Sequence, residues 1–242
     1  MTEWLILLPS YGLGSLWSRV EDALRGLIPV YDKVNRVISL GQDIKLRRLA
    51  AAKAIIGRNL LVLDAGCGPG TMSEAILNAT KCVKQVILLD PLKEMLKRSK
   101  RRLGNGRCEF VQGVFEYLPF RSGVFDVSVS AFALRDAFDL AKALTELSRI
   151  VKPNSGVVLI LDLGKPKSRL LQAALGIYWR IVAPLLALTY IGKEGLLYRL
   201  LYYTYLKIPT NAHLKKMAEK MFRHVDLDEK MMGGVIILLA VK

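Results

Sequence analysis

The chain has 242 residues, 36 of them Lys or Arg against 21 Asp or Glu, for a net charge of +15. An apolar share of 52% excludes intrinsic disorder, which needs low hydrophobicity beside high net charge, and no uncharged apolar run reaches the roughly 18–20 residues of a spanning helix. Three scattered cysteines (Cys67, Cys82, Cys108) without a CxxC pair, and two histidines (His213, His224), argue against a disulfide framework or a metal centre. No metal is expected, and a reducing, cytoplasmic setting fits. Met1-Thr2-Glu3 has no basic n-region, so no signal peptide is expected either.

In chain order, residues 4–18 are uncharged but broken by Pro9, Gly12 and Gly14, which suggests a lid or a terminal helix docked on the core. Tyr31, Asn35 and Ser39 then recur at i, i+4, i+8 beside Val34 and Ile38. That pattern suits either a helix roofing a ligand pocket or a half-exposed surface helix. A βα alternation follows. Leu60–Leu63 and Val86–Leu89 are continuous apolar runs, as in strands buried on both faces of a parallel sheet. Further strands are expected at Cys108–Gln112, Val124–Ser130, Val157–Leu161 and Val235–Val241, with helices at Thr71–Thr80, Lys93–Leu103, Leu140–Val151 and His213–Met221. The alternation breaks at 167–208, a segment rich in Leu, Ile, Tyr and Trp that reads as an apolar helical insert. The expected fold is α/β, a doubly wound, mostly parallel Rossmann-like sheet. Its expected divisions are N-terminal helices over the site (1–50), a cofactor-binding core (51–166), the insert (167–208) and a C-terminal helix and final strands (209–242).

Two features carry chemistry. Asp64-Ala65-Gly66-Cys67-Gly68-Pro69-Gly70 lies directly after a buried strand and before a helix, where glycines let the backbone approach a ligand. A GxGxxG dinucleotide fingerprint fails here, since Thr71 takes the third place. The second strand ends at Asp90, 26 residues after Asp64, where a carboxylate can accept both hydroxyls of a ribose.

With Tyr31-Asp32-Lys33-Val34-Asn35-Arg36, Leu118-Pro119-Phe120, Phe125-Asp126, Phe132-Ala133-Leu134-Arg135-Asp136, Arg149-Ile150-Val151-Lys152-Pro153 and Lys165-Pro166 added, the sequence resembles the class I S-adenosylmethionine-dependent methyltransferases. Within them it is most similar to the UbiE-type quinone C-methyltransferases, through YDxxN and F-x-L-R-D. The resemblance implies S-adenosylmethionine as cofactor. Gly66, Gly68 and Gly70 would pass under its methionine part, Asp64 would hold the turn and the amino end, and Asp90 would take the ribose. Val114 and Phe115 would face adenine, with Pro69, Pro91 and Ala131 as further cofactor-binding positions. Val114 stands where the family usually has Asp or Asn, so adenine would rely on backbone and apolar contacts. The acceptor implied is a polyprenyl quinol of the demethylmenaquinol kind, or another small hydrophobic or lipid-like molecule. Arg135 is the candidate for contacting a developing phenolate, with Asp136, Asp32 or Tyr31 taking the proton; Tyr31 has the cofactor carboxylate as its alternative partner. The plain alternative for Arg135 is an ion pair with Asp136 or Asp139.

The Lys93–Arg102 helix carries six cations against Glu94. Beyond a solvated face, such a run suits anionic lipid headgroups or nucleic acid. The place after the fourth strand reads Ser130-Ala131-Phe132-Ala133 rather than an N/D-P-P-Y motif, and no cysteine sits in a Pro-Cys loop, so a nucleic-acid substrate is disfavoured. Given the resemblance, the joint greasiness and charge imply peripheral attachment to the inner face of an anionic membrane, a choice that composition alone does not make.

Overall fold

A computed structural model describes residues 11–104 and 106–242. Three helices come first: α1 (Trp17–Leu27), α2 (Tyr31–Ile38) and α3 (Gln42–Ala54). The alternating part follows as β1 (Leu60–Ala65), α4 (Thr71–Ala79), β2 (Val83–Asp90), α5 (Lys93–Leu103), β3 (Cys108–Gln112), β4 (Val127–Ala131), α6 (Leu140–Ile150) and β5 (Val157–Leu163). The insert folds as α7 (Arg169–Ile177), a π-helical turn (Tyr178–Val182), α8 (Ala183–Ile191), a 3-10 stretch (Gly192–Arg199) and α9 (Leu200–Lys207). The chain closes with α10 (Asn211–Glu219), β6 (His224–Lys230) and β7 (Val235–Val241).

The seven strands form one sheet in the order β3-β2-β1-β4-β5-β7-β6. All pairings are parallel except those of β7, which runs antiparallel to β5 and β6. Side-chain alternation sends Leu63, Ala65, Ile87 and Leu89 into a core with α6 and α10, and Leu60, Val62, Val86 and Leu88 into a second core with α3, α4 and α5. The sheet is therefore buried on both faces, which is why its central strands read as unbroken apolar runs. Strand β6 is the element that the sequence reading lacked: Val225 is buried while Asp226 and the other alternate positions meet solvent, as an edge strand requires.

Several shared motif elements turn out to brace this frame. Asp126 accepts from the Leu61 N–H at 2.9 Å and pairs with Lys152 at 2.7 Å. Arg149 donates to the Leu118 and Phe120 carbonyls while paired with Glu146, pinning the loop that carries Leu118-Pro119-Phe120.

At the front of the chain, residues 4–10 lie outside the described residues. From Tyr11 onward the segment is strapped to the core: Leu13 N–H donates to Ala137 O at 2.8 Å and Leu140 N–H to Tyr11 O at 3.0 Å. The insert packs its own small core on α1 and α2, with Trp179, Ala183, Ala187, Tyr198 and Tyr205 against Leu27, Val34 and Ile38. The helical run Arg169–Lys207 has the length and composition of a membrane span, contrary to the count of uncharged residues, with 28% of its most apolar window buried. It does not run straight. The chain reverses at Gly192 (φ +75°), and the return packs so tightly that a Cβ on Gly195 would stand 2.3 Å from the Leu188 nitrogen.

Candidate active site

The carboxyl ends of β1, β2 and β4 open on one cleft enclosing about 870 Å³, part of it open to solvent. Its floor is the turn after β1. Gly66 has φ +69°, and a Cβ there would lie 2.5 Å from the Ala133 Cβ, so only glycine fits. Gly68 (φ +52°) faces open space, leaving bare backbone toward the cleft. The Gly68 N–H donates to Asp90 Oδ2 at 2.8 Å and the Leu92 N–H to Asp90 Oδ1 at 2.9 Å, fixing the carboxylate at the end of β2. Asp90 is 6% exposed, and burial pushes its pKa up to about 6. Each oxygen keeps a lone pair for a further donor.

Of the residues singled out from sequence, Tyr31, Gly66, Gly68, Pro69, Asp90, Pro91, Val114, Phe115, Ala131 and Asp136 all border this cleft. Asp64 does not. It lies fully buried beneath the turn, where Oδ2 accepts from the Ser73 N–H (3.1 Å) and hydroxyl (2.6 Å) and so holds the start of α4. Burial pushes the Asp64 pKa up to about 6, and its Oδ1 has no partner.

Asp32 also faces elsewhere. It accepts from Arg102 Nη2 at 2.5 Å and from the Thr71 hydroxyl at 3.3 Å, on a separate cavity between α2, α3 and α4. Removed from both the cleft and the adjoining apolar cavities, and tied to a cation, Asp32 is badly placed to take a proton from an acceptor in them. Arg98 joins the same cluster, 3.6 Å from Asp32, and also donates to Ile28 O. Two of the six cations of α5 are thus internal anchors for α2. Lys93, Lys97, Lys100 and Arg101 are exposed.

Beyond the cleft, two apolar cavities of about 440 and 420 Å³ lie between α2 and the insert. Both are bordered by Tyr31, Asn35, Arg135 and Leu201; Phe132 and Trp179 line the first, Leu197 and Tyr198 the second. Arg135, 8% exposed, donates from Nη1 to Asp162 Oδ1 at 2.9 Å and sits 3.6 Å from Asp136. Asp139 is not its partner: it caps α6 by accepting from the Lys142 N–H. Burial alone would lower the Arg135 pKa, but Asp136 and Asp162 override it upward, so the guanidinium keeps its proton. Its Nε and the Asp136 Oδ1 are both buried without partners. Burial raises the Asp136 pKa to about 6 against the opposing pull of Arg135. This Arg–Asp pair can polarise an acceptor hydroxyl and receive its proton near neutral pH.

Three neighbours take places that the sequence did not reveal, Phe132 among them although it opens the F-x-L-R-D motif. Phe132, in the left-handed region at φ +58°, separates the cleft from the first cavity. Glu116, buried, borders the cleft beside Val114 and Phe115, and takes the Asp139 N–H at 3.0 Å. Arg47, on α3, borders the cleft and the first apolar cavity.

A glycine turn and a strand-end carboxylate facing one cleft, on this strand order, define a class I methyltransferase. Solved structures of that class share the fold: the plantazolicin methyltransferase BpumL in complex with SAH superposes with a TM-score of 0.66 at 14% identity, over 95% of this chain and 96% of that one. The sequence matches the ubiE/COQ5 methyltransferase family over residues 15–242. It is 31% identical over 170 residues to a demethylmenaquinone methyltransferase of Lactiplantibacillus plantarum (69% of this chain, 71% of that protein). It is 30% identical over 224 residues to a ubiquinone/menaquinone biosynthesis C-methyltransferase of Idiomarina loihiensis (90% and 88%). The chain belongs to the ubiE/COQ5 methyltransferase family, and its cofactor is S-adenosylmethionine. The cleft fits that molecule, with bare backbone at Gly68 and free lone pairs on a fixed Asp90.

Replacing Asp90 by Asn removes the charge and turns one acceptor oxygen into a donor. Calorimetry with S-adenosylhomocysteine is expected to show about tenfold weaker binding or worse, from the loss of charged hydrogen bonds. Unchanged affinity would place the ribose elsewhere.

Proposed function

We propose that this enzyme C-methylates a polyprenyl quinol of the demethylmenaquinol kind in quinone biosynthesis. The observation that carries the reading is the Arg135–Asp136 pair standing between the cofactor cleft and apolar cavities walled by the insert. The names of the two relatives point the same way.

In this reading Asp90 holds the ribose, the Gly66–Gly68 turn underlies the methionine part, and adenine lies against Val114 and Phe115 with Glu116 as a nearby acceptor. Pro69, Pro91 and Ala131 are walls of the same cleft. S-adenosylmethionine supplies a methyl group made electrophilic by its sulfonium. The protein's task is to make a ring carbon nucleophilic and hold it in line. Arg135 lowers the pKa of the quinol hydroxyl and stabilises the phenolate charge. Asp136, whose Oδ1 is buried and free, takes the hydroxyl proton. Tyr31, whose pKa is raised by burial, stays protonated and orients the ring rather than acting as the base. Ile38, Phe132, Leu163, Trp179 and Leu201 offer the ring and the first part of its tail an apolar wall.

The same reading includes peripheral attachment to the inner face of an anionic membrane. Leu170, Ile177, Ile181 and Leu185 fall at helical spacing on the outer side of the insert and are half or more exposed. Residues 167–208 carry six cations against Glu194 alone. Leu197, partly exposed, borders the second cavity, so a tail leaving the site emerges at this greasy, basic side.

Incubation with methyl-labelled S-adenosylmethionine and either demethylmenaquinol or bulk tRNA tests the reaction. Label on a quinol ring carbon is expected; label in RNA alone would refute it. The rate should rise with pH through about 6 as Asp136 loses its proton, then level. Asp136→Asn should remove that limb and lower kcat by about 10²–10⁴. An unaltered pH profile in this variant would assign the base elsewhere. For attachment, co-sedimentation with phosphatidylglycerol vesicles should exceed that with phosphatidylcholine, weaken with salt, and fall at least by half in Ile181→Glu/Leu185→Glu. Binding to neither vesicle would remove the membrane part.

A further inference from the structure

Arg47 is a buried cation that lacks an ion-pair partner among the described residues. It is 7% exposed, its Nε is buried without a hydrogen-bond partner, and among the described residues no carboxylate lies within ion-pair distance. Asp43, Asp64 and Asp32 act on it only through space, and burial outweighs them to lower its pKa. Its guanidinium rests 5.0 Å from the centre of the Phe132 ring, at the wall between the cleft and the first apolar cavity. A buried guanidinium that folding leaves unpaired is costly unless a ligand brings the counter-charge.

The cleft says which ligand group that is. Its charged lining among the described residues is Glu21, Asp90, Glu116 and Asp136 against a single cation, Arg47. S-adenosylmethionine carries one anionic group, the carboxylate of its amino-acid end. Val114, Phe115 and Glu116 border the cleft at one side of Asp90; the Gly66–Gly68 turn, Tyr31, Thr71 and Arg47 border it toward α2 and α3. With the ribose at Asp90, the amino-acid end extends over the turn toward Arg47.

We propose that Arg47 seats the carboxylate of bound S-adenosylmethionine through its planar guanidinium, and so orients the methyl group toward the cavity of Arg135 and Asp136. The proposal rests on S-adenosylmethionine being the cofactor. Arg47 then reads out one end of the cofactor and Asp90 the middle. The cation–π contact with Phe132 makes the wall between cofactor and acceptor part of the same device, because the ring beside the guanidinium also lines the acceptor cavity.

Calorimetry with two ligands tests this without turnover: S-adenosylmethionine, and its decarboxylated analogue, which keeps the nucleoside and sulfonium but lacks the carboxylate. The unaltered protein should prefer the carboxylated ligand by about tenfold or more. Arg47→Gln should lose that preference, binding S-adenosylmethionine about tenfold more weakly and the analogue with unchanged affinity. Arg47→Lys, which keeps the charge but not the planar fork, should fall between. Equal weakening of both ligands in Arg47→Gln would overturn the proposal and make Arg47 structural. Unchanged cofactor binding with a raised KM for the acceptor would also overturn it, assigning the guanidinium to the acceptor oxygen. Binding of neither ligand by the unaltered protein would instead remove the cofactor assignment beneath it.

Discussion

The site depends on one clasp. The Gly68 N–H reaches from the turn after β1 to the Asp90 carboxylate at the end of β2, at 2.8 Å, and joins the carboxyl ends of two neighbouring strands. Around it, Asp64 holds the start of α4 from below through Ser73, and Leu92 N–H closes the other side of Asp90. These bonds fix a carboxylate and a stretch of bare backbone side by side in an apolar surrounding. The cost is visible in the raised pKa of Asp64 and Asp90, both about 6, because burial disfavours their charged forms.

Charge placement follows the same economy. Among the described residues of the cleft, acids outnumber the single cation Arg47, which suits a cofactor that is cationic at sulfur and amine and anionic at one carboxylate. At the far wall the second buried guanidinium, Arg135, is held by Asp162 and Asp136 and keeps its proton at any working pH. In the proposed reading one arginine serves the cofactor and the other, braced by its two carboxylates, serves the acceptor. The cations that first drew notice, on α5, divide differently: Arg98 and Arg102 anchor Asp32 and thereby α2, while their neighbours face solvent.

The sheet was legible because its inner strands are covered on both faces, so Leu60–Leu63 and Val86–Leu89 carry no polar interruption. The glycine turn and Asp90 were legible because backbone exposure and a strand-end carboxylate demand particular residues at particular places. Strand β6 was not, since His224-Val225-Asp226-Leu227-Asp228 is an edge with mostly solvated side chains and little apolar signal. Nor was the fate of Asp32, whose partner Arg102 is 70 residues away and reaches it only once α5 packs beside α2. Arg47 sits in Leu46-Arg47-Arg48-Leu49, a run that reads like any solvated pair of cations; only the packing of α3 on the sheet separates the buried Arg47 from its exposed neighbour Arg48. The insert announced its greasiness but not its hairpin, which depends on Gly192 and on the close seat of Gly195 against α8.

The claim on which everything else stands is that the cofactor lies across the clasp, from Val114 to Arg47, under α1. Amide hydrogen exchange with and without S-adenosylhomocysteine reads this directly along the chain. Protection is expected in three separated segments, Gly66–Thr71, Asp90–Leu92 and Gly113–Glu116, with added protection in α1, where Trp17, Val20 and Leu24 border the cleft. Protection confined to the insert, or absent from those three segments while the ligand is bound, would contradict the account.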